Sequence, residues 1–270
     1  MPELTRDGVR LHFTVEGDGP TVLLHTGGAG DGTMWQLAGY TSVLHGTRQI
    51  LLDHRGHGQS DRPQTLSSHR IEEYVADAIA VLDAVQAERA ILIGYSAGAL
   101  VSYYTAATHP ERCAAVVGIG GVALPGERRD YDVWAPLIDD VRERGTRANI
   151  EHIASNEDEP CPTWLLEHLA STDAEMLALL MEASLNAPSP WDWFPKITAP
   201  TFIICGEHED DQGETALAAS TVRDGEAALL PGFGHLQAFW HAEITGPRIR
   251  AFLASRQLLT PDPVYESAAG

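Results

Sequence analysis

The chain has 270 residues, of which 44% are hydrophobic and 21% charged, a composition typical of a globular protein and not of a disordered or fibrous one. Its 38 acidic residues outnumber 18 basic ones and give a formal charge of −20, which argues against nucleic acid or an anionic membrane as a partner. Its three cysteines, Cys113, Cys161 and Cys205, cannot all pair and show no zinc or redox spacing, which favours a reducing cytoplasm.

Short apolar segments alternate with helical patterns along most of the chain. The first residues predict two antiparallel strands joined by a turn at Asp7 and Gly8. Further apolar, β-branched runs predict strands at 21–25, 48–52, 90–94, 114–118 and 201–205. Three- and four-residue spacing of apolar side chains predicts an amphipathic helix over 71–85. This alternation predicts an α/β fold with a mostly parallel central sheet flanked by helices.

The alternation breaks at 122–196, where helical patterns are separated by proline-containing loops. We expect this segment to be a helical cap inserted into a core formed by 1–121 and 197–258, with a polar C-terminal tail at 259–270. The segment holds 15 acidic and 6 basic residues, which disfavours a highly anionic substrate. Large aromatic side chains can line an apolar substrate cavity or hold small helices on a core. The candidate substrate-binding residues are Trp35, Trp134, Trp164, Trp191 and Trp193.

The sequence Gly-Tyr-Ser-Ala-Gly at 94–98 matches the pattern GxSxG. In a chain with 25 glycines the pattern alone carries little weight. Its context is more specific, because an apolar strand precedes it and a helical pattern follows it. A nucleophile elbow requires this strand–turn–helix arrangement, which exposes a serine hydroxyl on a sharp turn. Ser96 is therefore the candidate nucleophile.

Three further motifs stand at matching places along the chain. Residues 25–28, His-Thr-Gly-Gly, follow the first parallel-type strand; residues 53–60 read Asp-His-Arg-Gly-His-Gly-Gln-Ser; and residues 231–235 end on a histidine after the last predicted strand. With the elbow, these motifs resemble the α/β-hydrolase superfamily from about residue 8 to residue 255. The resemblance implies an α/β-hydrolase fold with an oxyanion loop at 25–28 and a catalytic histidine near the C-terminus.

The resemblance also assigns roles to single residues. His235 would act as general base for Ser96, and the backbone N–H groups of Gly27 and Ala97 would form the oxyanion hole. Thr26 departs from the family, which usually has glycine directly after the first histidine. Its side chain could alter the path of the loop or add a hydroxyl donor.

The acidic partner of the histidine is not fixed by the sequence. The loop after 201–205 contains Glu207, Glu209, Asp210 and Asp211, and the family's GxxD pattern places the acid at Glu209. A slip of one residue would select Asp210, and Asp211 also remains open. A glutamate can orient an imidazole as an aspartate does.

These residues predict a serine hydrolase that cleaves a small, largely apolar or neutral ester or lactone through an acyl-enzyme, with no metal or organic cofactor. A serine at the elbow argues against the haloalkane dehalogenase and epoxide hydrolase chemistry that the superfamily also contains. One alternative is an aminopeptidase similar to proline iminopeptidases, although Ala97 stands where that branch has an aromatic residue. Another is a ligand-binding member of the fold that does no chemistry.

Overall fold

Eight strands form one sheet in the computed structural model, which describes residues 3–120, 131–210 and 212–260. The order across the sheet is β1-β2-β4-β3-β5-β6-β7-β8. The strands are β1 (Glu3–Arg6), β2 (Val9–Glu16), β3 (Thr21–His25), β4 (Arg48–Leu52), β5 (Ala90–Tyr95), β6 (Cys113–Ile119), β7 (Thr201–Gly206) and β8 (Gly225–Leu230).

The sheet is mixed, with an antiparallel edge and a parallel centre. β1 pairs with β2 and β2 with β4 in the antiparallel sense, and every other neighbouring pair is parallel. Asp7 and Gly8 have φ of 49° and 79°, as a tight two-residue hairpin turn with two left-handed residues requires. All residues of β5 and β7 are buried, which explains their unbroken apolar runs. The predicted fold class is confirmed.

Helices cover both faces of this sheet. They are α1 (Met34–Leu37), α2 (Tyr40–Val43), α3 (Ile71–Ala84), α4 (Ala97–Thr108), α5 (Tyr131–Ala154), α6 (Thr163–Ala170), α7 (Ala174–Leu185), α8 (Glu214–Thr221), α9 (Gln237–Trp240) and α10 (Ala242–Ser255). Successive strand residues point to opposite faces, so Val22 and Leu24 join one core cluster while Leu23 joins the other. The first cluster includes Phe239 and Phe252 of α9 and α10.

The amphipathic helix α3 carries one buried charge on its apolar face. Asp77 is fully buried, and Arg55 binds it through Nε and Nη2 at 2.6 and 2.7 Å. The Nε of Arg6 lies 2.6 Å from the same carboxylate. This network fastens the turn at 53–60, one of the motifs singled out above, to α3 and to the first strand.

Helices α5, α6 and α7 all lie between β6 and β7, inside the segment predicted as a cap, and we call residues 131–196 the insertion. α5 is divided at Gly145, whose φ of 83° and ψ of 167° are not helical. Residues 121–130, where the predicted cap begins, lie outside the described residues, as do 261–270 of the predicted tail. Leu259 is buried in the core, so packed structure extends past residue 258. Within the described ranges, no helix is both long and apolar enough to cross a membrane.

Candidate active site

Ser96 lies on the sharp turn between β5 and α4. Its φ of 54° and ψ of −120° are unusual for a residue with a side chain, and such conformations cost about 1–3 kcal/mol. The backbone N–H of Ser96 donates to the carbonyl of Ile119 at 2.8 Å, which ties the turn to the end of β6. Ala97 is the first residue of α4, so its N–H has no acceptor within the helix.

The two glycines of the elbow are required by close packing. A Cβ at Gly94 would collide with the carbonyl group of Gly98 across the turn. A Cβ at Gly98 would collide with the carbonyl oxygens of His25 and Thr26. The lack of a side chain at Gly94 therefore permits the tight turn, and the lack of one at Gly98 lets the elbow fit against the end of β3. This contact brings the 25–28 loop to the serine.

His235 connects Ser96 to an acidic residue. Its Nε2 lies 3.0 Å from the Oγ of Ser96, and its Nδ1 lies 2.6 Å from Oε1 of Glu209. Glu209 ends a short 3-10 helix, Glu207–Glu209, that directly follows β7. The second oxygen of Glu209 faces the buried thiol of Cys205 at 3.8 Å. The structure thus brings Ser96, His235 and Glu209 into one continuous chain of hydrogen bonds.

The charges around His235 favour its protonated form. Burial by itself would lower the pKa of His235, but the negative charge of Glu209 and its hydrogen bond to the ring oppose this, and the charge of Glu157 adds to them. The pKa is therefore raised above its ordinary value. A more basic imidazole is better suited to accept a proton from the serine hydroxyl.

The structure separates two of the three candidate acids that the sequence left open. The carboxylate of Asp210 accepts the backbone N–H of Thr215 at 2.7 Å and so caps the first turn of α8. Of these two side chains, only Glu209 hydrogen-bonds to His235. The structure therefore brings Glu209, and not Asp210, to the histidine. Asp211 lies outside the described residues.

The loop at 25–28 lies against Ser96. A Cβ built on Gly27 would lie 3.4 Å from the Cβ of Ser96 and 3.2 Å from the ring of Tyr95, so the Gly27 backbone borders the serine. His57 supports the loop through Nε2, which lies 2.9 Å from the carbonyl oxygen of Gly28. Thr26 is fully buried and its hydroxyl has no hydrogen-bond partner among the described residues.

Two buried histidines, the first residue of this loop and one packed against it, take no part in the hydrogen-bonded chain. The rings of His25 and His54 stack with centroids 5.2 Å apart. Burial lowers the pKa of His25 to about 3, and burial also holds the pKa of His54 well below its ordinary value. Both imidazoles are therefore neutral over the physiological pH range.

The insertion contacts the continuation of the same loop. The N–H of Gly30 donates to the hydroxyl of Thr172 at 2.8 Å, and the ring of His168 lies 3.3 Å from the carboxylate of Asp31. Burial would raise the pKa of Asp31, but hydrogen bonds from His168 and Thr33 lower it to about 2. These bonds hold the insertion over the end of the sheet that carries Ser96.

At Gly28 of the loop, the nearest side chains are leucines of α7 and not tryptophans. A Cβ built on Gly28 would lie 3.5 Å from the Cδ atoms of both Leu177 and Leu180. The sequence predicted a helix here, but it did not show which face of that helix would meet the loop. These leucines form an apolar wall beside Gly28.

Three of the tryptophans predicted to bind substrate make packing contacts that the structure describes. Trp35 is fully buried and packs edge-on against Tyr40 and Phe239. Trp193 stacks on Tyr104 at 4.5 Å, and with Trp191 it lines a surface cleft of about 690 Å³. Tyr104 stands eight residues beyond Ser96 in α4, about 12 Å along the helix axis at 1.5 Å per residue. None of these contacts involves Ser96, His235 or Glu209, so a substrate-binding role for the three side chains stays a prediction.

The other two tryptophans stay predictions. Trp164 is partly buried and packs against the core cluster that includes Tyr95 and Leu236. Trp134 lies in α5, but its side chain falls outside the described residues.

Sequence reasoning missed two residues of the site. Tyr95, within the elbow motif, donates its hydroxyl to the backbone oxygen of His235 at 3.3 Å, and the two rings lie 5.1 Å apart. Glu157 of the insertion binds the backbone directly after His235. The motif gave a signal for Tyr95, whereas Glu157 stands 78 residues before His235 in a loop without any motif. Among the described residues, no cluster of three or more histidine, cysteine or acidic side chains is arranged for a metal ion.

Comparison with known proteins gives one matching family and several relatives. A sequence model described as the alpha/beta hydrolase fold matches residues 20–189. Epoxide hydrolase B of Mycobacterium tuberculosis is 34% identical over 145 residues, which are 48% of this chain and 41% of that protein. The chain thus spans well under two thirds of the length of that relative.

Two solved structures resemble the whole chain. The enol-lactonase from Burkholderia xenovorans LB400 superposes with a TM-score of 0.80 at 23% identity, covering 94% of this chain and 100% of that one. A thermophilic esterase from Thermogutta terrifontis superposes with a TM-score of 0.81 at 21% identity, covering 94% and 99%. At these identities the likeness shows a shared fold.

Proposed function

The chain belongs to the α/β-hydrolase fold family, and from that premise we propose that it is a serine hydrolase that cleaves a small, apolar or neutral ester or lactone. The observation that carries the proposal is the chain of hydrogen bonds from Ser96 through His235 to Glu209, with the serine held on a strained turn. Strain of this kind is concentrated at functional sites. A serine, a base and an orienting acid in contact are the arrangement that activates a hydroxyl for attack on a carbonyl.

The reaction begins when Nε2 of His235 takes the proton of the Ser96 hydroxyl as Oγ attacks the carbonyl carbon. Glu209 holds Nδ1 protonated and stabilises the imidazolium that forms. The backbone N–H groups of Gly27 and Ala97 stabilise the negative oxygen of the tetrahedral intermediate. His235 then gives its proton to the departing alkoxide, and a water that it deprotonates releases the acyl group from Ser96.

The identity of the nucleophile argues against epoxide hydrolysis, despite the epoxide hydrolase among the relatives. A carboxylate that opens an epoxide forms an ester, which water can hydrolyse. A serine hydroxyl that opened an epoxide would form an ether, which water does not cleave under these conditions. Ser96 therefore suits substrates with a carbonyl group.

The surroundings of the site suit a neutral acyl group. Leu177 and Leu180 offer an apolar wall beside Gly28, and apolar walls with few polar groups are typical of small-molecule sites. The excess of acidic residues in the insertion disfavours anionic substrates. We infer that α5 to α7 act as a cap that selects the substrate, and that the enzyme works in the cytoplasm, since Cys113, Cys161 and Cys205 are all free.

The proposal is tested by turnover of a panel of p-nitrophenyl esters, lactones and proline anilides. We expect wild type to cleave short esters or lactones, and Ser96→Ala to lose at least about 10³-fold in kcat, as loss of a covalent nucleophile does. Ser220→Ala, an exposed serine on α8, is the matched control and should keep wild-type turnover. Unchanged turnover in Ser96→Ala would refute the serine mechanism, and preferred cleavage of the anilides would assign an aminopeptidase.

A further inference from the structure

A carboxylate of the insertion holds the backbone of the loop that carries His235. Oε1 of Glu157 accepts the N–H of Leu236 at 2.7 Å, and Oε2 accepts the N–H of Gln237 at 3.2 Å. These are the two residues that directly follow His235. Hydrogen bonds from N–H groups to a carboxylate are roughly twice as strong as those between neutral groups. Both carboxylate oxygens of the half-buried Glu157 therefore bind this loop.

Further contacts join the insertion to the loop that carries His235. A Cβ at Gly234 would lie 2.5 Å from Oε2 of Glu157, so the carboxylate fits only because the residue before His235 is a glycine. The side-chain oxygen of Gln237 accepts the N–H of Asp158 at 3.2 Å, and its amide donates to Glu159 at 3.1 Å. Three consecutive insertion residues therefore bind the two loop residues that directly follow the histidine.

We propose that Glu157 is a positioning residue through which the insertion holds His235 in line with Ser96. The inference rests on the proposed serine chemistry and adds a requirement to it: the insertion completes the site as well as covering it. If the 157–159 segment leaves the loop, the backbone directly after His235 loses its hydrogen bonds to Glu157, and the hydrogen bond from Tyr95 to the backbone oxygen of His235 remains. Bound substrate that holds the insertion in place would then also hold the base in its reactive position.

The charge of Glu157 acts on the same imidazole. Titratable side chains face His235 or its loop from the elbow, the end of β7 and the turn after it, the insertion, and the residue between α9 and α10. They are Tyr95, Ser96, Cys205, Glu207, Glu209, Glu157, Asp158, Glu159 and His241. Burial favours neutral His235, whereas Glu209 first and then Glu157 favour the imidazolium. Removal of the Glu157 charge should therefore lower the pKa of His235, a change that a purely structural contact would not produce.

The test measures the rate at which a fluorophosphonate modifies Ser96 as a function of pH, because this rate follows the neutral fraction of His235 without knowledge of the natural substrate. We expect Glu157→Gln to react about tenfold more slowly at neutral pH and to shift the midpoint of the acid limb down by about half a unit to one unit. Glu157→Asp keeps the charge, so it should keep the wild-type midpoint at a reduced rate. Glu151→Gln removes an exposed charge of the same insertion and should behave as wild type.

The outcomes separate this inference from the proposed function. Absence of modification of Ser96 in wild type would overturn both. Wild-type modification with an unchanged rate and midpoint in Glu157→Gln would overturn only the role of Glu157. A slower Glu157→Gln with an unchanged midpoint would also overturn it, because that result describes a structural contact alone. If circular dichroism shows that Glu157→Gln does not fold, the test relies on Glu157→Asp, which shortens the side chain and keeps the charge. A wild-type rate of Ser96 modification in Glu157→Asp would then contradict the proposed role of Glu157.

Discussion

Replacement of Glu209 and of Asp210 by their amides tests which carboxylate orients the base. The two residues are adjacent, and each substitution removes one negative charge while preserving shape. Glu209 lies 2.6 Å from Nδ1 of His235, whereas Asp210 caps α8 through the N–H of Thr215. Only the first substitution should therefore impair the chemistry.

The expected magnitude follows from the contact that is lost. A hydrogen bond to a charged group contributes about 1.5–3 kcal/mol, and a loss of 3 kcal/mol from the transition state slows a reaction about 150-fold. The amide of Glu209→Gln can also present N–H to Nδ1 and select the wrong tautomer, which in serine proteases costs about 10⁴-fold. We expect a loss in kcat of at least about a hundredfold. Asp210→Asn keeps an oxygen that can accept from Thr215, so kcat should stay within about twofold.

The assay is steady-state hydrolysis of the best ester from the panel, with urea unfolding of both variants to show that they remain folded. A loss in Asp210→Asn equal to that in Glu209→Gln would refute the assignment. A loss of less than about threefold in Glu209→Gln would contradict the role of the acid altogether.

Three further predictions concern pH, stability and substrate contacts. His235 must be neutral to accept the serine proton, and its pKa is raised above the ordinary value of 6.5. We therefore expect kcat/KM to fall as the pH drops through a midpoint above 6.5. An activity that does not change between pH 7 and pH 5 would contradict His235 as the base. Asp77→Asn removes the buried charge that Arg55 and Arg6 both bind and should lower the free energy of unfolding by about 3–5 kcal/mol in urea titrations, against less than about 1 kcal/mol for the exposed Asp83→Asn; similar losses would refute this account of the network. Leu177→Ala should raise KM for an ester with a hydrophobic acyl group roughly tenfold, and Trp191→Ala should leave it unchanged, as measured by initial rates. A raised KM in Trp191→Ala and an unchanged KM in Leu177→Ala would instead favour Trp191 as the substrate-binding residue.

Much of the fold could be predicted because its signals are local. Buried parallel strands such as β5 and β7 need continuous apolar residues, and these runs are visible in the sequence. Ser96 could also be predicted from the sequence, because the elbow depends on glycines two residues before and two residues after it. His235 could be placed by chain order after the last strand. These features depend on residues that are neighbours in the sequence.

The remaining features depend on packing between distant segments. Glu209 and Asp210 differ by one residue, and only the 3-10 turn after β7 determines which of them reaches the histidine. Trp191 and Trp193 are large aromatic residues of the kind that line substrate pockets, yet Trp193 stacks on Tyr104 of α4 and both line a surface cleft there. Glu157 reaches the backbone of Leu236 from 79 residues away, and no periodicity or motif records that contact.

The nucleophilic character of Ser96 is tested most directly by reaction of the wild-type protein with a fluorophosphonate, followed by mass spectrometry of the intact chain and its peptides. We predict a single adduct on the peptide that contains Ser96, no adduct at this position in Ser96→Ala, and a strongly reduced rate in His235→Ala. An unmodified wild-type protein, or an adduct that forms equally in Ser96→Ala, would contradict the proposed mechanism.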